Sequence, residues 1–562
     1  KGSTFPLVNG GVGVLYEAGA ALGREIETDS GLRTYRENIR KHFRTAIAGI
    51  EAGALLRLDL LRYQQDFYGG ALDAAARHPV KAWVFQAPGD PARLDLFVDL
   101  LNFHRIDVYR LARDVTVDGT AFSANEALVV PAAQTQHRLI RSIFETVSEF
   151  EDATFYDVST WTLPPAFGLE YAALGGREFR ASVLGAQHER PASAAATSPD
   201  EATYAYAFEW TGYYAPRALQ RILETGALAR VATKPFSVST ASGVVKLGRG
   251  SIVVPFDRQA VDRTDIHTLM ATIAEQDGVT VHSMSSGSSA IGSRGVEVGG
   301  PSFKSLAAPR TLLVVGRDVN LYDAGEVWHL LDYRMNMPVT LRSRDRLDGI
   351  DWSRYTHVIF PGGDYDEYEP EFANRMRQWV AEGGTLIGMR DAAPWVRAMT
   401  LDYIDPLSEE GMALAAAPAE EEEEPEPFER LAYGEKDSRE AVDIIGGAIF
   451  TADLDVSHPL GFGYADRRIH LHKNVEEPFE NTRNPYATVI AYADDPVLSG
   501  YVSANNRDAL AGTPALIAER SGAGSVILFA DNPNFRGYWY GTNKLFLNAL
   551  FFSRAFDAPD ED

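Results

Sequence analysis

The feature that most constrains the fold is a unit that recurs three times after His78-Pro79. The first copy has the apolar strand AWVFQ from Ala82, the helix-like PARLDLFVDLLNFH, a second strand IDVYRL, and the run ALVVPAAQ around Pro131. The second copy has YAYAFEW from Tyr204, PRALQRILETG, ARVATKPF, and SIVVPFD around Pro255. The third has TLLVVGRD from Thr311, GEVWHLLDYR, PVTLRS, and HVIFPGGD around Pro361, followed by the helix-like EFANRMRQWVAEGG. Strand, helix, strand, then a buried strand ending on proline is the rhythm of βαβ units. The rhythm predicts an α/β fold of several consecutive three-layer parallel-sheet units. Recurrence at this scale argues for repetition, although ordinary α/β domains share the same beat.

Upstream, residues 32–77 read as mostly helix, with Ile39, Phe43, Ile47, Ile50, Leu55 and Leu58 at three- and four-residue spacing. Before them, VGVLYE reads as a strand ending on Glu17. At 562 residues the chain exceeds one core, and three or four domains are expected at ~150 residues each. Composition shifts set the boundaries: residues 1–77 as a strand-and-helix segment, 78–195 and 196–305 as α/β accessory domains, and 306–562 as a final α/β domain. Linkers fall at RPASAAATSPDE from Arg190 and at SMSSGSSAIGSRG from Ser283. Five glutamates, Glu420 to Glu424, lie within residues 415–430, where like charges flanked by prolines predict a solvated loop.

Charge and composition exclude several functions. A net charge of −25 opposes nucleic-acid binding, which needs Lys and Arg against phosphates. With no cysteine, disulfides, thiolate nucleophiles and Cys-ligated zinc are excluded. No run of 18 apolar residues is present to span a membrane, and Lys1 leads into no apolar signal segment.

Sequence context decides among the candidate chemistries. Gly11-Val12-Gly13 begins a dinucleotide fingerprint, but Tyr16 stands at its third glycine and a strand-like run follows where a helix is needed. GSSAIGSR from Gly287 offers Ser293-Arg294 where a phosphate loop requires Lys-Ser/Thr. No histidine starts an HxxE or HExxH pattern; His104 and His329 each have an aspartate three residues on, and the WHLLD context predicts a packed His329. His470-Leu471-His472 puts two imidazoles on one face of a strand, with Glu476 and Glu477 nearby and no assignable third ligand. The aromatic runs TGYYAP and GYWYG are expected to serve packing before sugar or protein contacts.

The third repeat resembles a class I glutamine amidotransferase-like domain, with VIFPGG at Val358 to Gly363 and TLIG at Thr385 to Gly388. Active members carry a cysteine on the sharp turn after the second strand. Here that turn reads Gly388-Met389-Arg390-Asp391-Ala392, so Met389 or Arg390 stands where the thiol would be and the chemistry is excluded.

The opening KGSTFPLVNGGVGVLYEAGAALGRE resembles the last part of a peptidase M14 (zinc carboxypeptidase) domain of large bacterial proteins. DVSTWTLPPAFGL, GEVWHLLDYRMNMPVTL, ADLDVSHPLGFGY and DNPNFRGYWYGTNKLFLNALFF resemble the C-terminal halves of the same proteins, from Lys1 to about Phe556. The resemblance implies Glu17 as general base beside a zinc-bound water, hydrolysis of C-terminal residues from peptides, and a periplasmic or extracellular setting. The chain departs from the family in AGAAL after Glu17, and the HxxE pair, the later zinc histidine and the substrate-binding arginines are absent. Zinc is therefore implied by the family but held by no identifiable residue, and Glu17 alone cannot hydrolyse a peptide. The expected partner is a missing N-terminal peptidase half, from the same gene or a separate chain. A homo-oligomer is the other expectation, with no nucleic acid and no membrane span. The rival function is a non-enzymatic assembly or carbohydrate/cell-wall-binding protein built from α/β domains.

Overall fold

The computed structural model describes residues 4–17, 23–151, 155, 157–189, 198–288, 296–365, 369–404 and 432–557. The acidic run of residues 415–430 lies outside the described residues, as do 190–197 and 289–295 of the two linkers. The chain divides into two units. One comprises residues 1–86, 98–145 and 171–189; the other comprises 87–97, 146–170 and 190–562.

In the first unit, Thr34 starts the helix α1 (Tyr35–Leu55) with a capping box. Its hydroxyl accepts from the Glu37 N–H, and the Glu37 carboxylate accepts from the Thr34 N–H. Leu56 alone separates α1 from α2 (Arg57–Gly69), and the helix Ala71–Arg77 follows. A five-stranded sheet runs in the order Glu170–Gly175, Val80–Gln86, Leu128–Pro131, Tyr109–Leu111, Leu184–Gln187. Its core is aliphatic and aromatic, with Trp83 stacked on Phe144 at 5.5 Å.

The second unit holds two large sheets. One is five-stranded, in the order Val281–Met284, Ala205–Phe208, Ile252–Pro255, Arg230–Ala232, Phe303–Ser305. Numbered by position in the chain within each set of five, both five-stranded sheets have the strand order 4-1-3-2-5. The first two copies of the sequence repeat are thus topological twins.

The third copy builds something else, a nine-stranded mixed sheet. Its parallel half comprises β1 (Thr311–Val315), β2 (Val339–Ser343), β3 (His357–Phe360), β4 (Thr385–Met389) and β5 (Gly524–Phe529), in the order β2-β1-β3-β4-β5. Antiparallel strands Pro514–Ser521, Thr488–Ser499, Ala448–Leu454 and Arg468–Lys473 extend it. The helix α3 (Leu321–Trp328) follows β1.

The fold is α/β, as the rhythm predicts, but strand direction differs from the expectation. The third copy pairs parallel from β1 through β5, whereas the first and third strands of each twin pair antiparallel, as in Ala82↔Pro131 and Ala205↔Pro255. The reason lies between the second and third strands of each twin. A hairpin sits there, Val115–Val117 with Thr120–Phe122 and Phe236–Thr240 with Gly243–Leu247, whereas β2 and β3 are joined by short 3₁₀ turns. A strand buried on both faces is a continuous apolar run whichever way it points, so LVVP and IVVP carry no directional signal.

The expected strand ending on Glu17 does not form. Phe5–Asn9 is a 3₁₀ turn closed by Gly10 at φ 65°, and residues 11–17 have no regular structure. A strand needs a neighbour, and none of the described strands pairs with VGVLYE.

Candidate functional site

In an open sheet of order 2-1-3-4-5 the connections leave β1 and β3 toward opposite faces, which opens a crevice at their carboxyl ends. The residues that follow β1, β3, β4 and β5 converge there. After β1, Asn320 caps α3, accepting from the N–H groups of Tyr322 (3.0 Å) and Asp323 (3.4 Å). After β3, the Asn320 N–H donates to the Gly362 carbonyl at 2.7 Å. A Cβ at residue 362 would lie 2.3 Å from the Asp323 carboxylate, so only glycine lets the loop close over that side chain.

After β4 the chain turns sharply on Arg390, a non-glycine residue at φ 50°. Its N–H donates to the Phe529 carbonyl, its own carbonyl accepts from the Ala393 N–H, and the helix Ala392–Met399 begins. Met389 is a fully buried strand residue. Of the two residues the sequence left open, Arg390 occupies the strained position.

Arg390 Nη1 donates to Asp323 Oδ2 at 3.1 Å, while its Nε is buried without a partner. After β5, Asn532 Nδ2 donates to Asp323 Oδ1 (2.8 Å) and to Glu326 Oε2 (2.6 Å), joining two carboxyl groups through one amide. Burial raises both acids. For Asp323 the Arg390 guanidinium offsets part of the effect, whereas Glu326, pushed up further by the nearby Asp323 charge, reaches about 8. At neutral pH Glu326 is a carboxylic acid and can donate a hydrogen bond.

Helical spacing places Glu326 in a row of rings. Tyr322, Glu326 and His329 stand at i, i+4 and i+7 on α3. The chain then enters a π-helical turn, His329–Arg334, which carries Tyr333 onto His329 in a stack with centroids 5.1 Å apart. Tyr322 is 85% exposed and Tyr333 72%. The row is exposed at Tyr322 and Tyr333 and half-buried at Glu326 and His329, with a polar network behind the protonated acid.

The sequence-stated candidates fall elsewhere. Glu17 is exposed and outside any strand. His470 and His472 share a strand face, and burial lowers both, His470 to about 4. His472 stacks on Phe535 at 3.5 Å, with the Arg536 and Arg390 charges also opposing a cation there. Among the described residues no group of three or more His, Asp or Glu side chains is placed to hold a metal, so the zinc implied by the resemblance has no fitting ligand set. No helix of the described residues is long and apolar enough to cross a membrane. The aromatic runs pack as expected: Tyr213 and Trp539 are buried, and the Tyr213 O–H donates to Asn543 at 2.8 Å. Asp323, Glu326 and Asn532 escaped sequence reasoning, although the GEVWHLLDYR helix that carries Glu326 was visible as an amphipathic segment.

No family model matches the chain, and no curated protein does. Among solved structures, β-galactosidase from Bacillus circulans sp. alkalophilus is similar at 16% identity and TM-score 0.22, over 43% of this chain and 30% of that one. A ThuA-like protein from Parabacteroides merdae ATCC 43184 is similar at 15% identity and TM-score 0.27, over 45% and 92%. An exo-β-1,4-mannosidase from an Opitutaceae bacterium, strain TAV5, gives 13% and 0.20, over 43% and 35%. Scores this low carry no statement about what this chain does. They do correct the resemblance. The similar structures named are glycosidases and ThuA-like proteins, none a metallopeptidase, so the peptidase M14 assignment and the proteolysis it implied are withdrawn.

Proposed function

We propose that the chain is a non-hydrolytic binding protein whose crevice at the carboxyl ends of β1 and β3 takes a polyhydroxylated ligand, a carbohydrate of the kind found in cell-wall material. The observation that carries this reading is the row Tyr322, Glu326, His329 and Tyr333, exposed at its two tyrosines and half-buried between them. Flat rings offer apolar faces to the C–H faces of sugar rings while their edges stay wet. Between them the protonated Glu326 donates to a hydroxyl, and Asn532 fixes its orientation. The elbow carries a guanidinium paired to Asp323, which can neither attack a carbonyl nor accept an acyl group.

Titration calorimetry with soluble cell-wall oligosaccharides tests the reading. Tyr322→Ala and Tyr333→Ala should each weaken binding by about tenfold or more, equivalent to about 1.4 kcal/mol. Affinity of the native chain should fall as pH rises through about 8, where Glu326 loses its proton, and Glu326→Gln should flatten that dependence. Unchanged affinity in both tyrosine variants would sink the assignment.

A further inference from the structure

β3 begins at His357, at the end of the strand opposite the crevice, and a cavity of about 110 Å³ opens there. Protein interiors leave few voids larger than a water molecule, whose share of liquid volume is about 30 Å³, so a space of this size is unusual. Three segments wall it: the edge strand Phe303–Ser305 with the residues after it, the start of β3, and the end of the helix Tyr540–Phe551 with the turn beyond. Its apolar lining is Leu550, Phe551 and Ala555, all buried, with Leu306 and Ala308 half-buried.

The polar lining consists of donors. His357 is buried, and burial with the charges of Arg554 and Arg310 pushes its imidazole down to about 3, so the ring is neutral. The Thr356 hydroxyl accepts from the Arg310 N–H at 2.8 Å, and its own proton goes to the nearer acceptor, His357 Nδ1 at 2.9 Å, over the Arg310 carbonyl at 3.4 Å. That assigns the ring proton to Nε2, which donates to Ser553 Oγ at 3.1 Å and leaves the Ser553 O–H free to donate into the cavity it lines. Lys304 and Arg554 add an ammonium and a guanidinium. Arg554 makes one hydrogen bond among the described residues, to the Gly383 carbonyl. Lys304 stands 3.7 Å from Asp557, whose side chain is 92% exposed. Asp351 and Glu382 lie nearby in the sequence but do not line the cavity, and Asp560, Glu561 and Asp562 are outside the described residues. No carboxylate is among the lining residues, the reverse of a chain with 78 acids against 53 Lys and Arg.

We propose that this cavity binds a small monocarboxylate with a short hydrocarbon body. The carboxylate accepts from Lys304, Arg554 and the Ser553 hydroxyl, and the body lies against Leu550, Phe551 and Ala308. An engineered apolar cavity of about 150 Å³ takes benzene, with its six carbons, so about 110 Å³ takes roughly four or five non-hydrogen atoms, the size of propionate.

Ligand-observed NMR of the whole chain with propionate tests this, with circular dichroism as a check on folding. Saturable binding with a dissociation constant of roughly 1 mM is expected for a ligand of this size. Propionamide keeps the shape without the charge, and inorganic phosphate keeps charge without the hydrocarbon; each should bind at least about tenfold more weakly. Arg554→Gln should weaken propionate binding about tenfold, and Ala308→Leu, which fills the cavity and leaves every charge in place, should weaken it comparably. Failure to saturate below about 50 mM propionate overturns the inference. So does equally tight binding of propionamide or phosphate, which would remove the charge or the hydrocarbon from the recognition. Binding indifferent to both substitutions would place the ligand elsewhere and overturn it as well.

Discussion

Glu326 illustrates how a single side chain can be set against the stability of its own fold. Its carboxyl titrates near 8 in the folded chain and near 4.5 when unfolded. Below pH 4.5 both states hold the proton and the group is neutral toward stability. Between 4.5 and 8 the unfolded chain has released a proton that the folded chain keeps, so stability falls as pH rises and levels off above about 8. Urea melts should therefore show Glu326→Gln no more stable than the native chain at pH 4 and more stable, by an order of magnitude of a few kcal/mol, at pH 8.5. Equal differences at the two pH values would show the acid to be unperturbed. Lys473 makes the opposite case. Its ammonium is fully buried 3.3 Å from Asp531, which also accepts from the Tyr492 O–H. Lys473→Met should cost about 3–5 kcal/mol in equilibrium unfolding, because it strands a buried charge, and adding Asp531→Asn should recover part of the loss.

At the scale of elements, the sequence made β3, β4 and the turn between Gly388 and Ala392 legible, because buried strands and a glycine-bounded corner are local signals. The crevice network was not legible. Asn532 reaches Asp323 across 209 residues, and no local pattern encodes that meeting. The aromatic row was hidden for a different reason: Tyr322, Glu326, His329 and Tyr333 stand at i, i+4, i+7 and i+11, an ordinary helical pattern that does not say which side of the helix meets solvent. VGVLYE misled because its apolar content resembles a strand, while the partner strand that would make it one is not among those described. α1 makes a further prediction at this scale. With almost no tertiary packing beneath it, the helix depends on local terms such as the Thr34–Glu37 capping box. Thr34→Ala should cost about 1 kcal/mol and show as lost amide protection in the first turns of α1 while the Val80–Gln86 sheet stays protected. Uniform loss across both would refute a local role.

For the molecule as a whole, the excess of carboxylates sets a background repulsion that every state of the chain feels, and the compact state feels most. Raising NaCl from about 0.05 to 0.5 M shortens the screening length from over 10 Å to about 4 Å and should raise the thermal midpoint. A midpoint that falls with salt would mean that attractive pairs outweigh the repulsion. The absence of cysteine opens a practical route into the crevice. Asp391 lies one residue beyond the strained elbow, with its side chain 44% exposed. An Asp391→Cys variant would carry the molecule's single thiol at that corner. A solvent-sensitive fluorophore attached there would turn occupancy of the crevice into a colour change, making the protein an optical sensor for whatever it binds.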